Sequence, residues 1–342
     1  MMHLSTLALL VTVAPVVVVP GVDPEVAAIG AAELDGGRGA LLRFSSSGVR
    51  LRARGIVRFI WQGGDQGAEE GGGNRFDVVV DDGEFRRVID ADTGSLDVPV
   101  LSTLTLVKRT EALFGARRLL GVVVDGEVSA VPSRPTLVVL GDSWATGFGV
   151  RGDIVDHETG KAPGPHCPFS PDTEDIRQAW PALVADGLGI DVAVVAWSGR
   201  GLLRDWQGDE RPATVPQLLD DSAVHPENVI GVVVALGHND ANEGPPDPER
   251  FAVAWQQTHS LLRARFGAVP VVVVAPAFDD VPPAVDRAAA LRPAFVGEGV
   301  IVIDEPPMDT SLGLGCVWHP GTAAQSAFAR QLLPPIARAL GR

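Results

Sequence analysis

Four polar blocks in the second half of this chain each follow a short apolar run. Serine and histidine are the nucleophile and base of many ester hydrolases, asparagine can donate a hydrogen bond, and glycine lets the backbone approach a reacting centre. In chain order the residues are Ser143, Gly199, Asn239 and His319, after the apolar runs 137–140, 192–196, 229–236 and 300–303. Taken singly, Gly199 is also typical of a turn, and Asn239 of a helix cap. The ordered combination favours a catalytic set.

The apolar runs indicate how these residues are positioned. Each run has the length of a buried strand, and helix-like segments separate the runs, such as one with Phe251, Trp255 and Leu262 on a single face. Strands that alternate with helices form a parallel sheet. Because the carboxyl ends of parallel strands share one edge of a sheet, the four blocks should meet there. The sequence predicts an α/β domain over 134–342, with a flavodoxin-like doubly wound parallel sheet of five strands.

The predicted site has the parts that acyl transfer needs. Ser143 supplies the attacking oxygen, and His319 takes its proton because an imidazole titrates near neutral pH. The backbone N–H groups of Ser143 and Gly199 and the side-chain amide of Asn239 form the predicted oxyanion hole. Asp156, His157 and His166 lack the ligand spacing of a metal site, so we expect no metal and no cofactor.

The four blocks resemble those of the SGNH hydrolases, also called GDSL-type hydrolases. That family carries serine, glycine, asparagine and histidine in this order at successive strand ends, and here the resemblance covers roughly 133–342. It implies the same roles for Ser143, Gly199, Asn239 and His319 that their chemistry suggests.

The first third of the chain has a different pattern. Segments of alternating apolar and polar residues, such as 49–52, 57–61 and 103–107, predict half-buried antiparallel strands. Together they indicate an all-β, jelly-roll-like sandwich domain over 25–130. A short proline-containing linker separates it from the hydrolase domain.

A β-sandwich in front of an SGNH domain resembles carbohydrate esterase family 2. The Lys-Arg-Thr-Glu sequence at 108–111 and the blocks at 198–201 and 315–320 also match that family, so this resemblance covers roughly 25–342. It implies a carboxylic-ester hydrolase that removes O-acetyl groups from polysaccharides such as xylan and glucomannan. Two alternatives stay open, an SGNH esterase or lipase for other acyl esters and an inactive carbohydrate-binding homologue.

The histidine block departs from the pattern of both families. SGNH enzymes usually have an aspartate three residues before the histidine, where this chain has Cys316. Family 2 esterases often have an acid two residues before it, where this chain has Val317. Some family 2 members work as a Ser–His dyad in which a backbone carbonyl orients the imidazole, and we expect this arrangement here. A displaced carboxylate from Asp304, Glu305 or Asp309 is the alternative.

Tryptophans near the blocks are candidates for substrate binding. An indole face packs against the apolar C–H surface of a pyranose ring, and Trp144, Trp206 and Trp318 are the candidates. Core packing is the alternative for each. His238 and Asp240 flank the asparagine, and we expect both to have structural roles.

Charge limits the partners of this chain. It has 342 residues, of which 46% are apolar, and a net charge of −15. An acidic surface argues against nucleic acid or an anionic membrane as partner and fits an uncharged polymer. We expect a monomer that acts on an acetylated polysaccharide or oligosaccharide, with no stable membrane insertion.

The N-terminal stretch and the cysteines bear on the compartment. Residues 4–19 form an apolar stretch of signal-peptide length, which predicts a signal peptide within 1–22 and a secreted or periplasmic protein. No Lys or Arg precedes that stretch, so a buried strand or a misassigned start, with a cytoplasmic protein, is the alternative. Cys167 and Cys316 allow either a bridge between the loop after the nucleophile and the histidine loop, or two free thiols.

Overall fold

Two sheets organise this chain, an antiparallel one followed by a parallel one. The computed structural model describes residues 14–69, 72–81, 85–89, 94–154, 164–210, 214–220, 224, 226–277 and 290–342. We refer to 14–129 as the antiparallel region and to 136–342 as the parallel region.

The antiparallel region is a sandwich-like sheet of nine strands in the order β3-β4-β9-β5-β8-β6-β7, with β1 on β9 and β2 on β5. Its core follows from alternation: along β5, Leu51 and Ala53 are buried, whereas Arg52 and Arg54 point to solvent. The strands are β1 Val16–Val18, β2 Ala27–Ile29, β3 Glu33–Leu34, β4 Ala40–Leu42, β5 Gly48–Gln66, β6 Phe76–Val80, β7 Phe85–Ile89, β8 Leu96–Lys108 and β9 Ala116–Ser129. The predicted β-sandwich is confirmed.

Part of the N-terminal apolar stretch belongs to this sheet. Strand β1 pairs antiparallel with β9, with Val17 opposite Val123. A strand, the alternative to a signal peptide, is therefore present at Val16–Val18, although of the three residues only Val18 is buried. Residues 1–13 of the predicted signal peptide lie outside the described residues.

The parallel region has five strands in the order β11-β10-β12-β13-β14. This is the flavodoxin-like order that the sequence predicts. All five strands are parallel, and the chain adds β11 on one side of β10 and the later strands on the other side. The strands are β10 Thr136–Gly141, β11 Asp191–Ala196, β12 Val229–Ala235, β13 Val271–Ala275 and β14 Val300–Asp304.

Helices cover both faces of the parallel sheet. Alternate residues of β10 enter two cores: Val138 packs in the core that contains Trp255, and Val139 in the core that contains Trp180. The helices are α1 Ser143–Thr146, α2 Trp180–Leu188, α3 Val215–Asp220, α4 His238–Ala241, α5 Pro248–Phe266 and α6 Thr322–Ala339. Of the helices described, none has both the length and the apolar character required to cross a bilayer.

The two regions are joined by buried polar contacts. The Arg50 guanidinium donates to both carboxylate oxygens of Asp191, at 2.8 and 2.6 Å. Ser46 Oγ accepts from the Val194 N–H at 3.1 Å. Arg109 Nε donates to the Glu174 carbonyl at 2.8 Å. The antiparallel region is therefore fixed against edge strand β11 and the loop that precedes α2.

Candidate active site

The serine stands at a tight strand-to-helix turn. Strand β10 ends at Gly141, and Ser143 is the first residue of α1. Asp142 caps this helix, since its Oδ1 accepts from the Trp144 N–H at 3.1 Å. A Cβ at Gly141 would lie only 2.4 Å from that of Ala145, so a larger residue does not fit. The turn presents the Ser143 hydroxyl at the carboxyl edge of the sheet.

His319 completes a chain of two hydrogen bonds with this serine. The His319 Nε2 lies 2.9 Å from Ser143 Oγ, and Nδ1 lies 2.9 Å from the Val317 carbonyl oxygen. A carbonyl only accepts, so Nδ1 carries the proton and Nε2 is left as the acceptor for the serine. Burial lowers the pKa of His319, which keeps the ring neutral and able to accept a proton.

The loop before His319 has an uncommon backbone path. Val317 and Trp318 have positive φ of 53° and 61°, a left-handed conformation that a β-branched residue rarely adopts. Two backbone hydrogen bonds close the loop: Gly315 N–H donates to the His319 carbonyl, and Cys316 N–H to the Gly149 carbonyl, both at 2.8 Å. This path turns the Val317 carbonyl back toward the imidazole.

A disulfide ties this loop to the segment that follows the nucleophile. Cys167 and Cys316 are bonded, with their Cα atoms 4.8 Å apart. Of the two states that the sequence leaves open, the structure contains the bridge.

The three acids considered as displaced triad members have other partners. Asp304 pairs with Arg292, and Asp309 accepts from Ser311. Glu305 lies 2.9 Å from His238 Nε2. In the described structure, none of these three carboxylates is within hydrogen-bond distance of His319.

The glycine and asparagine blocks face the serine across a cleft. Gly199 follows β11 with φ of 79°, and a Cβ there would lie 2.7 Å from the Trp206 ring. Asn239 Nδ2 donates to the Arg200 carbonyl at 2.9 Å and lies 3.4 Å from Asp142. Within the described part of the chain, the Ser143 and Gly199 N–H groups have no acceptor. The four predicted residues line one cleft of about 480 Å³.

A buried glutamate that sequence reasoning did not place in the site reaches this cleft from the antiparallel region. The Glu111 carboxylate accepts from the Ser198 N–H at 2.8 Å, from the Ser198 hydroxyl, and from Thr146 Oγ1 at 3.3 Å. The signal in the sequence was a run of four polar residues directly after an apolar strand. All four, 108–111, are buried.

The residues that flank Asn239 form a polar layer beneath the cleft. Burial alone would lower the pKa of His238, but the neighbouring Glu305 and Asp142 carboxylates outweigh it and raise this pKa to about 9. Asp240 accepts from three successive N–H groups, those of Leu202, Leu203 and Arg204, at 2.7 to 3.0 Å. Both residues have the structural contacts expected of them.

The three tryptophan candidates lie in different places. Trp206 lines the cleft and is 51% exposed. Trp318, the residue before His319, is 63% exposed and meets His166 edge-on at 5.1 Å. Trp144 packs against His238 at a tilt of 34°, with the ring centroids 4.8 Å apart. Neither Trp318 nor Trp144 is among the described residues that line the cleft. Asp156 and His157 lie outside the described residues.

Residues 139–298 match the GDSL-like Lipase/Acylhydrolase family. The chain is similar to the cellulase/esterase CelE of Acetivibrio thermocellus, with 26% identity over 306 residues, which is 80% of this chain and 35% of that protein. It is also similar to the acetylxylan esterase / glucomannan deacetylase of Cellvibrio japonicus, with 29% identity over 127 residues, which is 34% of this chain and 32% of that protein. The chain spans about a third of the length of these curated relatives.

The fold has a counterpart among solved structures. A family two carbohydrate esterase from Clostridium thermocellum, in complex with cellohexaose, matches with a TM-score of 0.73 and 22% identity. The match covers 92% of this chain and 99% of that chain, so both regions take part in it.

Proposed function

On the premise that the chain carries a GDSL-like lipase/acylhydrolase domain within the fold of the family 2 carbohydrate esterases, we propose that it is a serine esterase. Its substrates are acetylated polysaccharides of the xylan or glucomannan type, from which it removes O-acetyl groups. The observation that carries the proposal is the chain of hydrogen bonds from Ser143 through His319 to the Val317 carbonyl, at 2.9 Å each.

The first half-reaction acylates the serine. Ser143 Oγ attacks the acetyl carbonyl while His319 Nε2 takes the hydroxyl proton. In the resulting imidazolium, Nδ1 keeps its proton and still donates a hydrogen bond to the Val317 carbonyl. As the tetrahedral intermediate collapses, Nε2 returns its proton to the sugar oxygen, which leaves as a free hydroxyl. The acetyl group remains on Ser143 as an ester. In the second half-reaction His319 Nε2 takes a proton from water, the water oxygen attacks the acetyl carbonyl, and the return of the proton to Ser143 Oγ releases acetate.

The negative oxygen of each intermediate needs donors that are already in place. The N–H groups of Ser143 and Gly199 serve this role together with the Asn239 amide hydrogen that makes only the long contact of 3.4 Å with Asp142, while the other amide hydrogen donates to the Arg200 carbonyl at 2.9 Å. One such donor typically contributes about 3 kcal/mol of transition-state stabilisation.

A carbonyl partner makes the histidine a dyad rather than a triad base. The Val317 carbonyl carries only a partial negative charge, so it fixes the tautomer and orientation of His319 but stabilises the imidazolium less than a carboxylate does. The lowered pKa of His319 agrees with this arrangement.

Substrate class rests on the surroundings of the dyad. One curated relative is named as a cellulase/esterase and the other as an acetylxylan esterase / glucomannan deacetylase. A structural relative was solved in complex with cellohexaose. The exposed face of Trp206 offers a stacking surface for a sugar ring in the cleft that contains Ser143, and exposed Trp318 offers a second one on the residue before His319. We also propose a secreted or periplasmic location, because the Cys167–Cys316 bridge requires an oxidising compartment.

The test compares the parent with Ser143→Ala on p-nitrophenyl acetate and on a panel of acetylated polysaccharides. We expect acetate release from both by the parent and a loss of about ten-thousandfold or more in the variant, with unchanged circular dichroism. Turnover retained by the folded variant would overturn the serine mechanism. A series of p-nitrophenyl esters tests acyl preference, and faster hydrolysis of long chains than of acetate would overturn the acetyl specificity.

A further inference from the structure

Glu111 lies between the two backbone segments that carry the proposed oxyanion donors. On one side its carboxylate accepts from Ser198, the residue immediately before Gly199. On the other side it accepts from the hydroxyl of Thr146, the last residue of α1. The single hydrogen of that hydroxyl is shared between the Glu111 carboxylate at 3.3 Å and the Ser143 carbonyl oxygen at 3.1 Å. A single side chain thus bridges the Ser143 helix and the Gly199 turn.

The carboxylate itself is held rigidly. Glu111 follows β8, and the buried Lys108 ammonium donates to the carbonyls of Thr110 and Glu111, at 2.7 and 2.8 Å. The Glu111 side chain is fully buried. A buried group with several directed contacts has one preferred position, so it can fix the parts that it touches.

We propose that Glu111 is a positioning residue that sets the separation of the Ser143 and Gly199 N–H donors, so that the antiparallel region completes the active site. The inference rests on the proposed function, since it assigns these N–H groups to the oxyanion. Displacement of a reacting geometry by about 1 Å can cost about a hundredfold in rate.

The chemistry of the side chain accounts for a carboxylate at this position. Burial raises the pKa of Glu111 to about 7, and above that pH the ionised side chain accepts from three donors with its two oxygens. Hydrogen bonds to an ionised acceptor are stronger than neutral ones. Glutamine has the same shape but one acceptor oxygen, and its NH₂ group would face a donor from Ser198 or Thr146. Glu111→Gln therefore breaks the bridge while leaving the volume of the junction unchanged.

A purely structural anchor between the two regions would be a different role, and a matched variant separates the two. Asp191 receives two hydrogen bonds from Arg50 across the same junction. It lies at the start of β11, away from the cleft, so Asp191→Asn weakens the contact between the regions without touching either donor segment.

For hydrolysis of p-nitrophenyl acetate, we expect Glu111→Gln to lower kcat about a hundredfold with KM within about threefold. Covalent labelling of Ser143 by a p-nitrophenyl phosphonate, followed by intact mass, should slow to a similar extent, because that adduct is also tetrahedral. Asp191→Asn should lower the melting temperature and keep kcat within about twofold. Equal effects of the two variants on kcat would overturn the inference.

A double-mutant cycle tests the bridge from the other side. Ser198→Ala should lower kcat about tenfold in the parent and less than about twofold in the Glu111→Gln background, because residues in one network are not additive. Additive losses would contradict the bridge. If Glu111→Gln does not fold, Ser198→Ala and Thr146→Val still test it, and unchanged kcat in both would overturn it. A parent without esterase activity would overturn the proposed function, whereas full activity in both the parent and Glu111→Gln would overturn only this inference.

Discussion

The parallel and antiparallel regions contribute different kinds of groups to the cleft. Every group proposed to react or to bind the oxyanion comes from the parallel region, where strand ends converge on one edge. The antiparallel region supplies wall residues, Glu69 and Leu113, and the buried Glu111 behind the wall. The difference teaches that chemistry can be confined to one sheet edge while the accuracy of its geometry depends on a neighbouring fold.

The largest expected effect separates the two regions directly. His319→Ala removes the proposed base in the parallel region and should lower kcat for p-nitrophenyl acetate by about ten-thousandfold, with the fold retained. Glu69→Gln, on the cleft wall of the antiparallel region, should stay within about twofold on this small substrate. Comparable losses in the two variants would break the distinction.

Removal of the disulfide should weaken the parallel region. The bridge closes a loop of 149 residues, and the double variant Cys167→Ser with Cys316→Ser should lose about 3–5 kcal/mol of unfolding free energy. We expect kcat to fall as well, since the bridge holds the loop before His319. Urea unfolding and kcat measure the two effects, and a reducing agent added to the parent should reproduce both. An unchanged unfolding midpoint would contradict the expectation.

The pH profile should be set by the parallel region. Burial lowers the pKa of His319 from its ordinary 6.5, and only the neutral ring accepts a proton. The rate should therefore be level above this pKa and fall about tenfold for each pH unit below it. Profiles of kcat/KM for the parent and Glu69→Gln should coincide. An acid limb near pH 7 would instead report protonation of Glu111, whose pKa burial raises to about 7, and that limb should be absent from Glu111→Gln.

Substrate size should distinguish the two exposed tryptophans, Trp206 and Trp318, from Trp144. Trp206→Ala and Trp318→Ala should each lower kcat/KM for acetylated polysaccharide about tenfold, or about 1.4 kcal/mol, with a much smaller loss for p-nitrophenyl acetate. Trp144, which packs against His238 at a tilt of 34° and does not line the cleft, provides the contrast, because Trp144→Phe should affect both substrates equally. Equal losses on both substrates for Trp206→Ala and Trp318→Ala would indicate a packing role.

The smallest effects should come from the carboxylates that a concealed triad would use. Asp304→Asn and Asp309→Asn should each keep kcat within about tenfold of the parent, far from the loss of about ten-thousandfold seen when a triad acid is replaced. Their partners, Arg292 and Ser311, explain the tolerance. A thousandfold loss in either folded variant would replace the dyad with a triad.

Much of this arrangement could be predicted because β10 to β13 are largely buried, and because edge strand β14, although partly exposed, is apolar up to Asp304. Such strands appear as uninterrupted apolar runs, so β10 to β14 and the polar blocks that follow them are readable from the sequence. The predicted contact between His319 and a backbone carbonyl is also present, since no acid stands at 316 or 317.

Other features depend on packing that no local pattern encodes. The contact of Glu111 with Ser198 spans 87 residues and exists only because the two regions meet. Val317 has a left-handed backbone without being a glycine, so its residue type gave no signal. The apolar stretch near the N-terminus has the same composition as a signal-peptide core and as a buried strand, which is why the sequence offers a strand there only as the alternative.

The main-chain partner of His319 has a consequence for how this site can change. A catalytic aspartate is lost by a single codon change, whereas a peptide carbonyl is present whichever residue occupies position 317. Heritable variation can remove this partner only by redirecting the chain, through the cysteines, the glycine before them or the left-handed pair Val317 and Trp318. Position 317 is therefore open to any substitution that keeps the path of the chain. Val317→Gly should even relieve the cost of the positive φ while keeping the carbonyl. For the proposed dyad, the orientation of His319 thus depends on the shape of a loop rather than on the identity of an acid.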